Sequence, residues 1–471
     1  MDAHIVARSM QNENSYAKRC CAQKLPNPQG VVELEPPVVD DATAAESLLP
    51  GSSGPTALVL GGGICGLACA HELVGRGVAT VVLDGAEPGL APASSAAAGL
   101  LDPLSVKGRV MWRGEEAFAA AVQLVRAAEP SALEQLGILH VPSAPKQAEQ
   151  LRRSAGAFGS RWVDEAEAQR LAPGAALPSG GLLCADGCVV DTALYLRALW
   201  RLVQARGAER GVRTQWVVRR SCRTAWVRRH ADTFDHVIVA AGAGCAALEE
   251  TRHLPVDLCR GQTLLYSLGA TERGATAKQH DQAAASLAAV DGASPPTPTG
   301  DAEGCEAGPS GRAEEPPRPR VALSGAVYVL PVGRRLICGG THEPCDDARQ
   351  LAPPCARDAV AALGPSLSGL YPPLAALAAP TARAGVRALP PRSVEGALPL
   401  AGLAHTDAPR RNVWFVGGMG ARGLLYHALA ARWVVDAALA GDPALIPTLL
   451  RRGEWGALLH ARLARLAAAE V

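Results

Sequence analysis

Residues 56–84 read TALVLGGGICGLACAHELVGRGVATVVLD, and this stretch decides the fold. Thr56–Leu60 and Ala79–Leu83 are short apolar runs of the kind that form buried strands. A glycine-rich turn follows the first run and leads into a helix that we expect to extend to about Val74. Two buried strands joined through a helix form a β-α-β unit, so the sequence predicts an α/β fold.

Three glycines in the turn have the spacing Gly61-x-Gly63-x-x-Gly66. In a dinucleotide-binding turn, the first glycine permits the sharp bend, the second lets the backbone approach a pyrophosphate, and the third lets helix and strand pack closely. The N-terminus of the helix offers free N–H groups and a positive dipole end to the phosphates. Asp84 lies 18 residues beyond Gly66, where a carboxylate accepts hydrogen bonds from a ribose diol. The turn therefore predicts a dinucleotide-binding site rather than a structural glycine turn.

Two later glycine-rich turns each follow a predicted buried strand. Gly242–Gly244 follows Asp235–Ala241, and Gly417–Gly423 follows Asn412–Val416 and precedes a long helix from Leu424 to about residue 439. Strands at both ends of the chain suggest one sheet assembled from distant segments. Several turns that converge on one elongated cofactor favour FAD over NAD.

Composition narrows the classes of function. The chain has 471 residues, of which 48% are hydrophobic, enough for one large core or two interleaved ones. A net charge of +1 gives no basic field, which argues mildly against RNA as the main partner. The 13 cysteines show no zinc-binding spacing and indicate a reducing compartment. No apolar run of about 18 residues is present, so no membrane span is predicted.

Three segments are expected outside the folded core. Residues 1–54 are predicted to be a disordered tail or an organellar transit segment, although Asp2 and Glu13 are unusual in a transit peptide. Residues 269–320 contain almost no large aliphatic side chains and are predicted to be a disordered insertion. Residues 446–471 are expected to form a helical tail. The compartment stays open between cytoplasm and organelle, including the plastid.

Further segments carry a resemblance to a known family. They are ASSAAAGLL (93–101), DHVIVAAGAGC (235–245), LPVDLCRGQTLLY (254–266), YVLPVGRRLICGGTHE (328–343), GVRALPPRSVEGALPLAG (385–402) and WFVGGMGARGLLYHALAA (414–431). Together with the first turn, and in the same order, they resemble the D-amino-acid oxidase/glycine oxidase-type (DAO) superfamily of FAD-dependent oxidoreductases. Within it, the chain is similar to the subgroup near the oxidoreductase that modifies the tRNA wobble uridine.

The resemblance covers residues 55–445 and implies an FAD-binding Rossmann-like (GR2-type) domain with an interleaved antiparallel-sheet substrate domain. The FAD part would comprise about 55–125, 185–255 and 385–445. The substrate part would comprise about 126–184 and 256–384.

The family's flavin contacts, carried onto this sequence, predict FAD as the cofactor and no metal. The implied cofactor-binding residues are Gly61, Gly63, Ile64, Gly66, Asp84, Gly85, Ser94, Ser95, Ala98, Gly99, Leu100, Ala241, Gly242, Gly418, Gly420, Arg422, Gly423 and Leu424.

Two arginines are the implied catalytic residues. Arg387, in the segment Gly-Val-Arg, matches the family's arginine that holds the substrate carboxylate, and a guanidinium can bind a carboxylate through two parallel hydrogen bonds. The alternative is a structural pairing of Arg387 with an acid such as Glu395. Arg422 lies before the last helix, near substrate and flavin in the family.

Other polar residues are expected to be structural or solvated. Arg383 is expected to be a solvated neighbour, and His427 a buried helical histidine rather than a group that tunes the flavin. Solvation is also expected for His342 and Glu343 and for Lys107, Arg109 and Arg113. The family's carboxylate-binding tyrosine has three candidates here, Tyr266, Tyr328 and Tyr426.

The resemblance implies an FAD-dependent amine or amino-acid oxidase or dehydrogenase. It would oxidise a C–N bond of an amino acid or secondary amine by hydride transfer to flavin N5, with O₂ or another electron acceptor. The alternatives are a tRNA-modifying oxidoreductase and a non-catalytic FAD-binding assembly protein. The substrate's identity and the oligomeric state stay open.

Overall fold

The computed structural model describes residues 54–218, 233–252, 254–268, 317–346, 353–393, 395–404 and 413–451. Most of the expected N-terminal tail and insertion, and residues 452–471 of the expected C-terminal tail, lie outside these ranges. Within the described residues, no helix is both long enough and apolar enough to cross a membrane.

The strands are numbered in chain order. The first ten are β1 (Thr56–Leu60), β2 (Ala79–Asp84), β3 (Leu100–Leu101), β4 (Leu133–Glu134), β5 (Ile138–His140), β6 (Arg161–Val163), β7 (Gly181–Cys184), β8 (Cys188–Val190), β9 (Thr214–Val218) and β10 (His236–Val239). The later ones are β11 (Asp257–Ser267), β12 (Ala322–Ser324), β13 (Tyr328–Val332), β14 (Arg335–Gly339), β15 (Glu343–Cys345), β16 (Thr381–Leu389), β17 (Arg392–Ser393), β18 (Gly396–Ala397), β19 (Leu400–Leu403) and β20 (Val413–Gly417).

The helices are numbered in the same way. The α-helices are α1 (Ile64–Gly75), α2 (Pro92–Ser95), α3 (Gly114–Ala128), α4 (Pro145–Arg153), α5 (Glu165–Leu171), α6 (Thr192–Arg210), α7 (Ala356–Leu370) and α8 (Gly423–Ala440). Short 3-10 helices are Pro130–Ala132, Ala157–Gly159, Gly242–Ala247, Pro372–Ala376, Gly420–Arg422, Pro443–Leu445 and Thr448–Leu450.

A six-stranded sheet has the strand order β19-β20-β10-β1-β2-β9. Its neighbouring strands are parallel except β19 and β20, which are antiparallel. These strands come from the beginning, the middle and the end of the chain, which confirms that one sheet is assembled from distant segments. The carboxyl ends of β1, β10 and β20 therefore lie side by side, and a glycine-rich turn follows each of them.

Both faces of this sheet are covered. On one face, α1, α3, α6 and α8 pack together and bury Val59, Ile238 and Trp414. On the other face, Leu58 and Val239 pack among side chains that include those of β11 and β16. A parallel sheet with continuous apolar strands needs this double cover, because each fully buried Leu, Val or Phe side chain contributes about 1.5–3 kcal/mol.

Helix α6 has a recognisable cap at each end. The Asp191 side chain caps α6 by accepting a hydrogen bond from the Leu194 amide at 3.1 Å, the usual role of an aspartate before a helix. At the other end, Gly211 adopts a left-handed conformation with φ of 66°, which terminates the helix.

A second sheet has nine strands in the order β15-β11-β14-β13-β12-β5-β7-β6, with β16 also paired to β11. Helices α5 and α7 cover its outer face. Its inner face carries Ile138, Leu330 and Ile337 and contacts Leu100 of β3. The sequence predicts only helices and turns over 130–180, whereas β4, β5 and β6 also lie there. These strands have two or three residues each, too few to show an alternating pattern.

Two smaller sheets complete the architecture. Strands β3, β8 and β4 form a three-stranded sheet, in which Leu100 pairs with Val189. Strands β17 and β18 form a hairpin near the start of β19. The three-stranded sheet fixes the end of the 93–101 segment against the beginning of α6.

Helices α6 and α8 are joined by a buried polar contact. Nδ1 of His427 lies 2.9 Å from the carbonyl oxygen of Leu424, and Nε2 lies 2.7 Å from the hydroxyl of Tyr195. With Nδ1 protonated, His427 donates to Leu424 and accepts from Tyr195 as a neutral ring. Burial lowers the pKa of His427 to about 4. In the structure His427 is thus a fully buried helical histidine with protein partners at both ring nitrogens.

We expect His427 to make the fold sensitive to acid. Its pKa in the unfolded chain is about 6.5, so between pH 6.5 and 4 the unfolded chain binds a proton that the folded chain does not. The contribution to stability is fully present above pH 6.5 and is lost as the pH falls toward 4. His427→Gln should reduce the dependence of the unfolding free energy on pH in this window by about 1.4 kcal/mol per pH unit, measured by urea titration.

Tyr195→Phe is the matched control for this experiment. It removes the hydrogen bond but keeps the buried imidazole, so stability should fall by about 1 kcal/mol while the pH dependence stays. An unchanged pH dependence in His427→Gln would show that His427 is not the group that titrates.

The indole of Trp216, on β9, covers the first glycine-rich turn. A Cβ atom at Gly62 would lie 2.1 Å from Cη2 of Trp216. The indole is fixed from two sides, since Nε1 donates to the Ala86 carbonyl at 3.1 Å and the ring packs edge-on against Trp200. Only glycine therefore fits at position 62 beneath this ring.

Gly62→Ala should destabilise the fold by about 1–3 kcal/mol through overpacking, measured by chemical or thermal unfolding. The same change in a Trp216→Leu background should cost less, because the clashing ring is gone. Gly369→Ala is the control: no heavy atom lies within 4 Å of its Cβ in the last turn of α7, and alanine should stabilise that helix by about 0.5–1 kcal/mol. Equal costs in both backgrounds would contradict the proposed clash.

Candidate active site

The first glycine-rich turn brings β1 and α1 into backbone contact. Gly61 has φ of +106°, and a Cβ there would lie 2.5 Å from the carbonyl oxygen of Ala240. A Cβ at Gly66 would lie 1.7 Å from the carbonyl oxygen of Gly61. Both neighbours are backbone atoms that cannot move aside, so a side chain is excluded at both positions.

Gly63 is different, because its missing side chain faces open space. A Cβ there would meet only Oγ of Ser94, at 3.1 Å. Gly63 is also the N-cap of α1, whose first turn carries no acidic side chain. The Ile64 amide donates to Oγ of Ser94 at 3.1 Å. A positive helix end whose N-cap is an open glycine is the arrangement that binds phosphate groups.

Asp84 lies at the end of β2, next to this turn. Its Oδ2 accepts from the Gly62 amide at 2.6 Å and its Oδ1 accepts from the Ala86 amide at 2.8 Å. A carboxylate oxygen has two lone pairs, so each oxygen can still accept a hydrogen bond from a ribose hydroxyl. Gly85, the next residue, is exposed.

The segment from Ala93 to Leu101 lies beside Gly63 and is anchored from behind. The Thr192 hydroxyl lies 3.3 Å from the carbonyl oxygens of both Ser95 and Ala97. Gly99 has φ of +94°, and a Cβ there would lie 2.1 Å from the Val190 carbonyl oxygen. These contacts hold Ser94, Ala98 and Leu100, which were predicted to contact the cofactor, in one stretch.

Strand β16 also holds this segment. A Cβ at Gly385 would lie 2.6 Å from Cα of Ala93, so α2 packs directly on the strand. Nη1 of Arg383 lies 3.5 Å from the Ser95 carbonyl oxygen. Arg383 is half-buried, and burial, followed by the nearby charge of Arg335, lowers its pKa. The expectation that Arg383 is solvated is therefore wrong, because β16 turns it toward α2.

The other two glycine-rich turns end their strands at the same edge as the first. Gly242, next to Ala241, has φ of +55°, and no heavy atom lies within 4 Å of its Cβ position. Gly418 and Gly420 have φ of +60° and +52° and pack against Pro390. Gly423 and Leu424 then begin α8. Three backbone turns thus surround one open edge, which fits a long cofactor with a central pyrophosphate.

Strand registers show which side chains share the inner face of the nine-stranded sheet. Residues paired directly on neighbouring strands point to the same side. Cys259 pairs with Arg387 on β16, Thr263 with Gly339, Gly339 with Tyr328, and Ser324 with both Tyr328 and His140. Arg387, Tyr328 and His140 therefore all lie on the inner face.

Arg387 is half-buried, and its guanidinium has few partners. Its Nη2 donates to the Thr341 carbonyl oxygen at 3.1 Å and lies 3.7 Å from Sγ of Cys259. Its Nε is buried without a hydrogen-bond partner. Among the described residues, no carboxylate lies within 4.0 Å of it, so the alternative pairing with the exposed Glu395 is not observed.

The space around this guanidinium is shaped by small residues and one tyrosine. A Cβ at Gly261 would lie 2.9 Å from Nη2 of Arg387. The Tyr328 hydroxyl lies against Gly339 and Gly340, and burial raises its pKa while the charge of Arg387 opposes the increase. Of the three candidate tyrosines, Tyr328 is the one near Arg387.

The other two candidate tyrosines contact different parts of the molecule. Tyr266 packs in the outer-face core of the nine-stranded sheet. The Tyr426 hydroxyl donates to the Trp112 carbonyl oxygen at 2.7 Å. Neither is therefore a neighbour of Arg387 in the substrate region.

A network of hydrogen bonds holds the Thr341 carbonyl in place. The Thr341 hydroxyl accepts from the Gln262 amide at 2.8 Å and donates to Glu343 at 2.6 Å. Glu343 also binds Arg260, and burial tends to raise its pKa while these hydrogen bonds lower it overall. The expectation that Glu343 is a solvated loop residue is wrong, because it lies on β15. His342 is exposed as expected, and its partial burial and the charge of Arg387 lower its pKa.

Arg422 contacts a buried pair of residues that the sequence does not reveal. Its Nη1 lies 4.0 Å from Oδ1 of Asp102, and Oδ2 of Asp102 lies 2.7 Å from Nε2 of His140. Asp102 is 5% exposed and His140 is 7% exposed. Asp102 follows β3, His140 ends a three-residue strand, and Arg422 precedes α8, so no local pattern links them.

The basic stretch after Asp102 is at the surface, as expected. Lys107, Arg109 and Arg113 are exposed. The guanidinium of Arg113 lies over the rings of Trp112 and Trp433, at 5.7 and 5.5 Å from their centroids. These side chains are not part of the open edge.

The chain matches one protein-family model and several solved structures. The model for FAD dependent oxidoreductases matches residues 56–289 and 304–437. The sequence matches no curated protein. The iminodiacetate oxidase of Chelativorans sp. BNC1 superposes with a TM-score of 0.56 at 18% identity, over 83% of this chain and 97% of that protein. The glycine oxidase of Geobacillus kaustophilus gives 0.57 at 17% identity, over 83% and 96%.

A third similar structure is the dithionite-reduced L-α-glycerophosphate oxidase of Mycoplasma pneumoniae with FAD bound, with a TM-score of 0.54 at 14% identity, over 82% of this chain and 95% of that one. At these identities the similarity shows the fold alone. The family model spans more than half of the sequence and includes all three glycine-rich turns. The chain belongs to the FAD dependent oxidoreductase (DAO) family, and FAD is its cofactor.

Proposed function

We propose that the protein oxidises the C–N bond of an amino acid or a secondary amine that carries a carboxylate. The observation that supports this function best is Arg387, a half-buried guanidinium without a carboxylate partner among the described residues. Leaving a buried charge unpaired is unfavourable, and a bound anion would remove that penalty. The glycine oxidase and the iminodiacetate oxidase act, by their names, on amino-carboxylate compounds.

Arg387 is suited to a carboxylate in particular. A guanidinium can donate two parallel hydrogen bonds to the two carboxylate oxygens, which fixes the orientation of the substrate. Gly261 leaves room beside Nη2, and Thr341 fixes the guanidinium from one side. In this arrangement Arg387 would anchor the substrate while Tyr328 lines the same face.

When bound, FAD supplies the redox chemistry by accepting a hydride at flavin N5 from the carbon that carries the amine. The chain's own contribution is to orient the substrate and to exclude water. If the amine binds in its neutral form, no side chain needs to remove a proton from the carbon. O₂ or another acceptor would then reoxidise the cofactor.

The glycine-rich turns support a specific placement of FAD. The pyrophosphate would lie at Gly63 and the N-terminus of α1, and the adenosine ribose at Asp84. The 93–101 segment and the turns at Gly242 and Gly418–Leu424 would contact the remainder of the cofactor.

Gly63→Ala tests this placement. The added methyl group meets only the Ser94 hydroxyl in the protein, so unfolding of the apoprotein should change by less than about 0.5 kcal/mol. The methyl group would occupy the space needed by a phosphate, so the Kd for FAD should rise by about tenfold or more. Flavin fluorescence titration of the apoprotein measures this, and an unchanged Kd would contradict the placement.

Arg387→Ala tests the substrate role. It should raise KM by about tenfold or more, because charge-assisted hydrogen bonds contribute about 1.5–3 kcal/mol each. The bound flavin should stay yellow, and Arg387→Lys should give an intermediate KM because lysine keeps the charge but not the fork of donors. The exposed Arg392 offers a matched control, and Arg392→Ala should leave KM unchanged.

A screen identifies the substrate for these measurements. A panel of α-amino acids of both configurations and their N-methyl derivatives is mixed anaerobically with the protein, and a compound that bleaches the bound flavin is a substrate. An unchanged KM in Arg387→Ala would contradict the carboxylate role. Failure of every amine to bleach the flavin would overturn amine oxidation and favour a non-catalytic role. Retention of tRNA at low salt would instead favour the RNA-modifying alternative.

A further inference from the structure

We propose that Asp102 is a specificity-determining residue that compensates the charge of Arg422, so that the pocket selects amines with one carboxylate over amines with two. This inference rests on the proposed function, in which Arg387 binds the substrate carboxylate. It concerns Arg422, the second arginine. A pocket with two arginines would ordinarily be expected to bind a substrate with two anionic groups, and the charge of Asp102 removes that expectation.

The two arginines differ in their surroundings. No carboxylate of the described residues lies within 4.0 Å of Arg387. Arg422 has Asp102, whose Oδ1 lies 4.0 Å from its Nη1. The side chain of Asp102 is 5% exposed whereas that of Arg422 is 29% exposed. Screening by water is weak around a buried carboxylate, so Asp102 opposes the charge of Arg422 more strongly than a surface acid would.

His140 holds the Asp102 carboxylate in this position. Its Nε2 lies 2.7 Å from Oδ2 of Asp102, so the carboxylate is fixed between the inner face of the nine-stranded sheet and the loop before α8. Nε2 of His140 is buried and, among the described residues, has no partner with hydrogen-bond geometry, so its approach to Asp102 is a close contact rather than an aligned hydrogen bond. The arrangement therefore fixes Asp102 toward Arg422 from the sheet side.

Arg422 reaches the same region as Arg387. The loop that carries Arg422 packs against the end of β16, since a Cβ at Gly420 would lie 3.5 Å from Leu389, two residues beyond Arg387. The loop that carries Arg422 therefore lies beside the end of the strand that carries Arg387, and on this ground both guanidiniums are assigned to the same pocket.

The resulting charges define the substrate class. Asp102 and Arg422 carry opposite charges that offset each other, and Arg387 supplies one positive charge. One carboxylate satisfies this pocket, and a second would be placed near Arg422 with Asp102 repelling it. Without Asp102, the pocket would offer two positive charges and favour a dianion.

The experiment compares two ligands that differ by one charge. Malonate carries two carboxylates, and malonamate has nearly the same shape with one carboxylate replaced by an amide. Neither contains an amine to oxidise, so each Kd follows from the change in flavin absorbance of the holoenzyme.

Wild-type protein should bind malonamate at least as tightly as malonate. Asp102→Asn should reverse this order and favour malonate by about tenfold or more. Asp358→Asn, which removes the same charge from an exposed site on α7, should keep the wild-type order. The double variant Asp102→Asn/Arg422→Met should not bind malonate more tightly than malonamate, because the Arg422 guanidinium that Asp102→Asn leaves uncompensated is absent.

Three results would overturn the inference: an unchanged ligand order in Asp102→Asn, a gain for malonate that persists in the double variant, or wild-type protein that already favours malonate. If Asp102→Asn does not fold with bound flavin, Arg422→Met decides the question. It leaves Asp102 uncompensated, so malonate should weaken by about tenfold relative to malonamate, and an unchanged ratio would overturn the inference.

Arg387→Ala in the same titration separates the two proposals. If Arg387→Ala binds neither malonate nor malonamate, the carboxylate site is supported, independently of the result for the Asp102 variants. If both ligands bind Arg387→Ala normally, or neither binds wild-type protein, the proposed carboxylate site itself is overturned.

Discussion

The close contact between Gly66 and the Gly61 carbonyl is the constraint on which the other features depend. With no side chain at either position, α1 approaches β1 closely enough for its N-terminus to lie at the carboxyl edge of the sheet. Gly63, placed between them, then faces open space instead of protein. Strands β10 and β20 follow β1 in the sheet, so their own turns meet at the same edge. A cofactor site built from three distant parts of the chain thus depends on one backbone contact.

The proposed substrate pocket lies between the nine-stranded sheet and the loop before α8. The charges of its two arginines, more than its shape, distinguish the ligands it would bind. In the part of the chain that the structure describes, Arg387 of the nine-stranded sheet has no carboxylate within 4.0 Å, whereas Arg422 of the loop before α8 has one. Both residues are the arginine of a Gly-x-Arg segment, and this local pattern does not distinguish them. The difference arises from Asp102, which a neighbouring strand and His140 hold in a buried position. Similar folds with different oxidase names, including one for glycerophosphate, fit a scaffold in which such local charges decide the substrate.

Much of the fold could be predicted from the sequence because the relevant signals are local. The first turn, the cap of α6 and the extent of α8 each depend on residues close together in the chain. Strands such as β5 could not be found, since three residues show no period and are defined by their partners in the sheet. The burial of Arg383 and the Asp102–His140 pair could not be found either, because each depends on strand registers between distant segments. The family resemblance pointed to Arg387 and Arg422 but not to what surrounds them.

The order of strands in the nine-stranded sheet bears on how the chain can vary. Roughly 50 residues join Ser267, at the end of β11, to Ala322, at the start of β12. In the sheet these strands are separated only by β14 and β13, a distance of about 15 Å that about five extended residues can span. The family model itself passes over residues 290–303. Most of this connection is therefore not needed to close the sheet, and its length and composition can change in evolution without altering the strand order or the site.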